Sequence, residues 1–107
     1  MISRFESMLE RGDDSALLRF GLGNEYLKHG DFEAAALHLA TAIEFNPEYS
    51  AAYKLLGKAL TGANNLPRAI DAYERGIEMA QQRGDMQAVR EMSVFLKRLR
   101  KQNATEG

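Results

Sequence analysis

RFGLGNEYLKHGDFEAAALHLATAIEFNP, residues 19–47, returns 34 residues later as YKLLGKALTGANNLPRAIDAYERGIEMAQ, residues 53–81. Seven columns align at that offset: Phe5/Leu39/Tyr73, Leu9/Ile43/Ile77, Glu10/Glu44/Glu78, Leu22/Leu56, Gly23/Gly57, Tyr26/Leu60 and Ala35/Ala69. Coincidence supplies one such pair easily, but not seven in one register. A fixed period of this length marks a stacked array of identical supersecondary units, each with an apolar face it cannot bury alone.

Outward from the repeat, the turn chemistry echoes too. Gly30-Asp31 falls opposite Asn64-Asn65. Gly or Asn tolerates left-handed backbone just past a helix end, and Asp or Asn then caps the next helix. Pro67 falls in a first helical turn, where its missing N–H costs nothing. Asn46-Pro47 reads as a second cap-then-proline start, and Ser3-x-x-Glu6 reads as a capping box for a short first helix closed by Gly12. Six helices are expected, at 3–11, 14–29, 32–45, 47–63, 66–82 and 86–102. No segment alternates with period two, so no strand is expected.

A glycine inside a helix costs about 1 kcal/mol relative to alanine, so Gly23 and Gly57 need a packing reason. Ala35 and Ala69 on the partner helices are the expected contacts. Small residues facing each other let helix axes close up, while Leu22, Tyr26 and Leu39 fill the sides. The last helix leaves this register. Its apolar stripe is Val89, Met92, Leu96 and Leu99, while the strict offset puts Arg90 and Glu91 at the packing positions. It reads as a terminal cap, apolar inside and basic outside, with a frayed tail at 103–107.

The motif Arg19-x-x-Leu22-Gly23-x-x-Tyr26, Ala35-x-x-x-Leu39, Pro47 resembles the tetratricopeptide repeat family, whose pattern is W-x-x-L-G-x-x-Y, A-x-x-x-F, P. Tyr53-x-x-Leu56-Gly57-x-x-Leu60, Ala69-x-x-x-Tyr73 is the second copy, with Gln81 in place of the proline. Arg19 is the clearest departure, since the family has a large apolar residue there. The resemblance implies an all-α fold, a right-handed superhelical stack of antiparallel helix pairs. The expected division is one domain over 1–102: a half-repeat helix at 1–13, repeats at 16–49 and 50–83, and a capping helix at 84–102.

The bulk numbers agree with one globular domain: 107 residues, 45% hydrophobic, 27% charged and net charge −1. Near neutrality supplies no global pull toward nucleic acid or anionic lipid. No cysteine is present, which excludes disulfides and thiolate metal sites. The opening MISRFESMLERG has no apolar run fit for a signal peptide, and no stretch approaches a membrane span, so a cytoplasmic protein is expected.

The resemblance further implies that the first helix of each repeat lines a concave groove for peptide ligands. At 100° per residue, Leu17, Phe20, Asn24, Leu27 and Lys28 fall opposite the packing centre Leu22. Ala51, Lys54, Lys58, Thr61 and Gly62 fall opposite Leu56. That face carries three lysines and no carboxylate, whereas the outward helices carry Asp31, Glu33, Glu44, Asp71, Glu74 and Glu78 against Arg68 and Arg75. A basic groove favours an acidic or C-terminal carboxylate segment of another protein. The expected contact residues are Phe20, Asn24, Lys28, Lys54, Lys58 and Thr61. Phe20 reads either as an anchor for the partner or as packing under the N-terminal helix. Some family members clamp a terminal carboxylate with five groove residues. Asn24 fits one of those places, but Phe20, Leu55, Asp85 and Val89 do not fit the others, so this clamp is not expected.

Weaker signals have plain explanations. Arg11-Gly12-Asp13 and Arg83-Gly84-Asp85 spell an adhesion triplet but serve as helix stop and cap. Asn103-Ala104-Thr105 is a glycosylation sequon that matters only in a secreted protein. His29 and His38 have no metal-ligand spacing, and no nucleophile–base pair or phosphate loop is readable, so neither cofactor, metal nor enzyme activity is expected. Two alternatives to peptide binding are self-association through the ends of the stack, and RNA or anionic membrane contact through Arg90, Lys97, Arg98, Arg100 and Lys101. The second lacks interleaved aromatics.

Overall fold

A computed structural model of the chain describes residues 2–106, and all regular structure among them is helical. The helices are α1 (Ile2–Glu10), α2 (Ala16–Lys28), α3 (Phe32–Phe45), α4 (Ser50–Gly62), α5 (Leu66–Gln82) and α6 (Met86–Glu106). One recurring turn explains their spacing. Gly12, Gly30 and Gly84 take φ of +84°, +77° and +74°, and Asn64 does the same at +60°. Left-handed backbone there lets the following N–H reach back into the last helical turn. Asp13 reaches Met8 at 2.9 Å, Asp31 reaches Tyr26 at 3.0 Å, Asn65 reaches Leu60 at 2.8 Å and Asp85 reaches Ala80 at 2.9 Å. Three of those residues then cap the next helix with their side chains. Asp31 accepts from the Ala34 N–H at 3.3 Å, Asn65 from Arg68 at 3.4 Å and Asp85 from Ala88 at 3.2 Å. Ser15 caps α2 by accepting from Leu18 at 3.0 Å.

Three features of the helix ends differ most from the sequence expectation. α4 begins at Ser50 rather than Pro47, because Asn46 is engaged in a turn: its Oδ1 accepts from the Glu48 N–H at 3.2 Å. The Pro47 carbonyl is held instead by the Tyr53 hydroxyl, which donates to it at 2.8 Å. Ser3 and Glu6 form no capping box, since Ser3 already lies inside α1 and the Glu6 carboxylate accepts from the Tyr26 hydroxyl. The segment 103–106, expected to fray, continues α6, with the Thr105 hydroxyl donating to the Lys101 carbonyl at 3.0 Å. Gly107 and Met1 lie outside the described residues.

Each of the helices α1 to α5 packs on the next one in the chain. Beyond these neighbours, α2 touches α4 and α4 touches α6, whereas the α3 and α5 backbones stand further apart. The stack therefore has a closed inner layer of α2, α4 and α6 and a splayed outer layer of α3 and α5. Its overall dimensions are 44 × 31 × 18 Å. One continuous apolar seam runs between the layers, from Ala35 and Leu39 through Tyr53, Leu56 and Tyr73 to Met92 and Leu99. The expected stripe of α6, Val89, Met92, Leu96 and Leu99, is buried in it. α1 contributes no buried residue.

The interior glycines set the helix spacing through contacts other than those expected. A Cβ on Gly23 would lie 2.4 Å from Cγ of Leu39, and one on Gly57 would lie 2.4 Å from Cζ of Tyr73. Ala35 and Ala69 are fully buried, but the groups lying over the glycines are the large side chains one turn further on. The contact itself repeats at the 34-residue offset, with Tyr73 in the place of Leu39. Gly76, which the repeat did not single out, is as tight: its Cβ would meet Tyr53 Cβ at 2.6 Å.

Candidate functional site

The inner layer carries the residues expected to meet a partner. On α2, Phe20 is half-buried and stacks on Tyr49, with ring centroids 4.8 Å apart and planes inclined at 19°. Beside it, Phe5 of α1 covers Gly21. Asn24 is half-buried one turn along, and Lys28 is exposed but pairs with Glu25 at 3.5 Å. On α4, the Lys54 ammonium lies 3.5 Å from a Glu91 carboxylate oxygen of α6. The Lys58 ammonium stands 5.3 Å from the centroid of the Phe95 ring. The Thr61 hydroxyl donates to the Gly57 carbonyl at 2.7 Å, so its oxygen is held in a fixed place along the face. Gly62 belongs elsewhere: a Cβ there would run into the Phe32 ring of α3.

These contacts correct the expectation of a carboxylate-free face. Glu25 and Glu91 offset Lys28 and Lys54, which leaves the positive character at the α4–α6 end. Lys58 and Arg98 are both exposed there, and among the described residues neither makes an ion pair. Phe95 was missed by the sequence reading, and Arg98, read there as part of the basic outer face of the last helix, instead lines the cleft beside it. Phe95 is nonetheless reached by adding the repeat offset to Thr61. The basic outer side of α6 keeps Arg90, Lys97 and Lys101 exposed, while Arg100 is drawn into an ion pair with Glu74 of α5. No helix among the described residues is long and apolar enough to cross a membrane.

A polar layer at the N-terminal end accounts for Arg19. Its guanidinium grips both Asp14 carboxylate oxygens at 2.9 Å and donates to Nδ1 of His38 at 3.1 Å. Arginine has no acceptor, so Nδ1 takes the hydrogen bond and the neutral ring carries its proton on Nε2. The His38 ring stacks on Tyr26 at 5.4 Å, and the Tyr26 hydroxyl bonds Glu6 of α1. The hydrogen bonds from Arg19 hold the Asp14 carboxyl below its ordinary range. Burial, reinforced by the nearby Arg19 charge, pushes the His38 imidazole down. The hydrogen bond to Glu6 raises the Tyr26 phenol. These groups tie α1 to the first helix pair.

Known proteins share this architecture. A family described as tetratricopeptide repeat matches residues 5–84. A TPR repeat-containing protein of Pseudomonas aeruginosa is 52% identical over 99 residues, covering 92% of this chain and 94% of that protein. The solution structure of a Bordetella parapertussis protein superposes with a TM-score of 0.85 at 47% identity, covering 99% of this chain and 92% of that one. The solution structure of a tetratricopeptide repeat domain protein from Salinibacter ruber gives 0.73 at 28% identity, over 80% of this chain and 87% of that one. With the repeat spacing, the glycine-set helix pairs and these matches in agreement, the chain belongs to the tetratricopeptide repeat family.

Proposed function

We propose that the chain is a non-enzymatic adaptor that holds an acidic peptide segment of a partner protein along its inner layer. Proteins of this family generally serve protein–protein interaction, and the finer reading draws on the inner layer itself. One observation carries it: Lys58 and Arg98 stand exposed beside half-buried Phe95, without a carboxylate partner among the described residues. Exposed cations next to an aromatic surface attract segments that bring both negative charge and apolar area. Phe20, Asn24, Lys28, Lys54 and Thr61 extend the contact along α2 and α4, with Lys28 and Lys54 exchanging Glu25 and Glu91 for the ligand's carboxylates.

The test is affinity of the purified chain for partners first captured from native lysate. Joint reversal of Lys54 and Lys58 to Glu is expected to weaken binding by more than tenfold at low salt, with a smaller loss at high salt where exposed charges are screened. Unchanged affinity for every captured partner contradicts the reading. Self-association is the second reading, favoured by Leu37 and Phe45, which are 64% and 54% exposed on α3. Sedimentation at rising concentration separates the two, since a monomer at high micromolar concentration removes the second.

A further inference from the structure

We infer that the cleft between α4 and α6 is an anchor subsite that takes one bulky apolar side chain from a peptide segment with carboxylates beside it. The inference rests on the inner-layer reading above and adds where the segment is gripped and what chemistry it brings.

The cleft is an open depression of about 290 Å³, room enough for one large side chain. Tyr73, Phe95 and Leu99 form its apolar wall, with the Tyr73 and Phe95 rings stacked at 5.7 Å. Among the described residues, Lys58 and Arg98 supply the only charges lining it. Burial pushes the Tyr73 phenol up to about 12, with the Thr61 hydroxyl acting in the opposite direction, so the ring stays neutral at physiological pH. Among the described residues, no negative charge therefore stands beneath the two cations.

The other clefts contrast with this one. Between α3 and α5, Glu33 stands with Arg68 in one cleft, and Glu44 and Asp71 stand with Arg68 and Arg75 in the next. Between the starts of α4 and α6, Lys54 faces Asp85 and Glu91. In each of these a charged ligand competes with an opposite charge already present. At the Phe95 cleft it does not. An apolar side chain alone would desolvate Lys58 and Arg98 without compensation, and a carboxylate alone would leave the half-buried Phe95 ring wet. A segment carrying both satisfies the whole cleft, and the Lys58 ammonium over Phe95 holds a bound carboxylate above the anchor.

The experiment selects a displayed library of random dodecapeptides on the intact protein and measures the enriched sequences, as amidated fluorescent peptides, by anisotropy. The expected consensus is one Leu, Ile, Met or Phe flanked by Asp or Glu. Replacing that apolar residue with Ala, or making Arg98→Glu in the protein, is expected to weaken binding about tenfold or more. Arg98 is exposed and outside the apolar seam, so its reversal leaves the fold intact. If Asn24→Ala or the Lys54/Lys58 reversal weakens binding while Arg98→Glu and the anchor replacement do not, the subsite is overturned and the inner-layer reading stands. If none of these changes moves affinity, both fall.

Discussion

At Arg19 the chain departs from its family, and the polar replacement brings a network that gives the fold a pH dependence. His38 is neutral where it lies, because burial and Arg19 depress its proton affinity, while Asp14 and Glu6 offset this in part. An unfolded His38 takes up its proton near pH 6.5, ahead of the folded form. The unfolded state therefore binds more protons as pH falls below that value, and stability declines there; above it the contribution is fully present. Asp14, held below its ordinary range, adds a separate decline only below about pH 3.8. Urea unfolding at pH 7.5 and 5.5 is expected to show lower stability at the acid point, and His38→Gln is expected to flatten that difference. Gly57→Ala is the second residue-scale prediction. A Cβ meets the buried Tyr73 ring, so overpacking is expected to cost about 1–3 kcal/mol despite alanine's better helix propensity. The need for small residues at Gly23 and Gly57 was legible from their spacing. Their partners were not, because side chains lean toward the helix N-terminus and it is Leu39 and Tyr73 that reach the gap.

Among the elements, α1 is the least secured. It buries no residue and is held by Phe5 over Gly21 and by the Glu6–Tyr26 bond. Amide exchange is expected to be fastest in α1 and slowest in α4 and α5, and Tyr26→Phe is expected to speed α1 further without affecting α5. α6 is the opposite case. Met92 is fully buried at the end of the seam, and Met92→Ala is expected to cost roughly 2–5 kcal/mol in denaturant unfolding. Helices bounded by a Gly-Asp or Asn-Asn pair were readable, since one dipeptide both stops and caps. The start of α4 was not, because an Asn before Pro serves equally as a cap or as a turn, and tertiary packing of Tyr53 on the Pro47 carbonyl decides. The same holds for the site. Phe20, Lys54 and Lys58 follow from helical arithmetic within a repeat, but Glu91, Phe95 and Arg98 arrive from a helix whose apolar stripe has shifted out of register.

For the molecule as a whole, a net charge of −1 conceals an uneven distribution. Glu33, Glu44, Asp71, Glu74 and Glu78 are exposed on the outer helices, and Lys58 and Arg98 on the inner ones. We propose this inner layer as the face that meets a partner. Amide and side-chain NMR shifts of the labelled protein, followed as an acidic selected peptide is added, test it most directly. The changes are expected at Asn24, Lys58, Phe95 and Arg98, with Leu37 and Phe45 on the outer helix unmoved. Shifts concentrated on α3, with the inner helices silent, would contradict it.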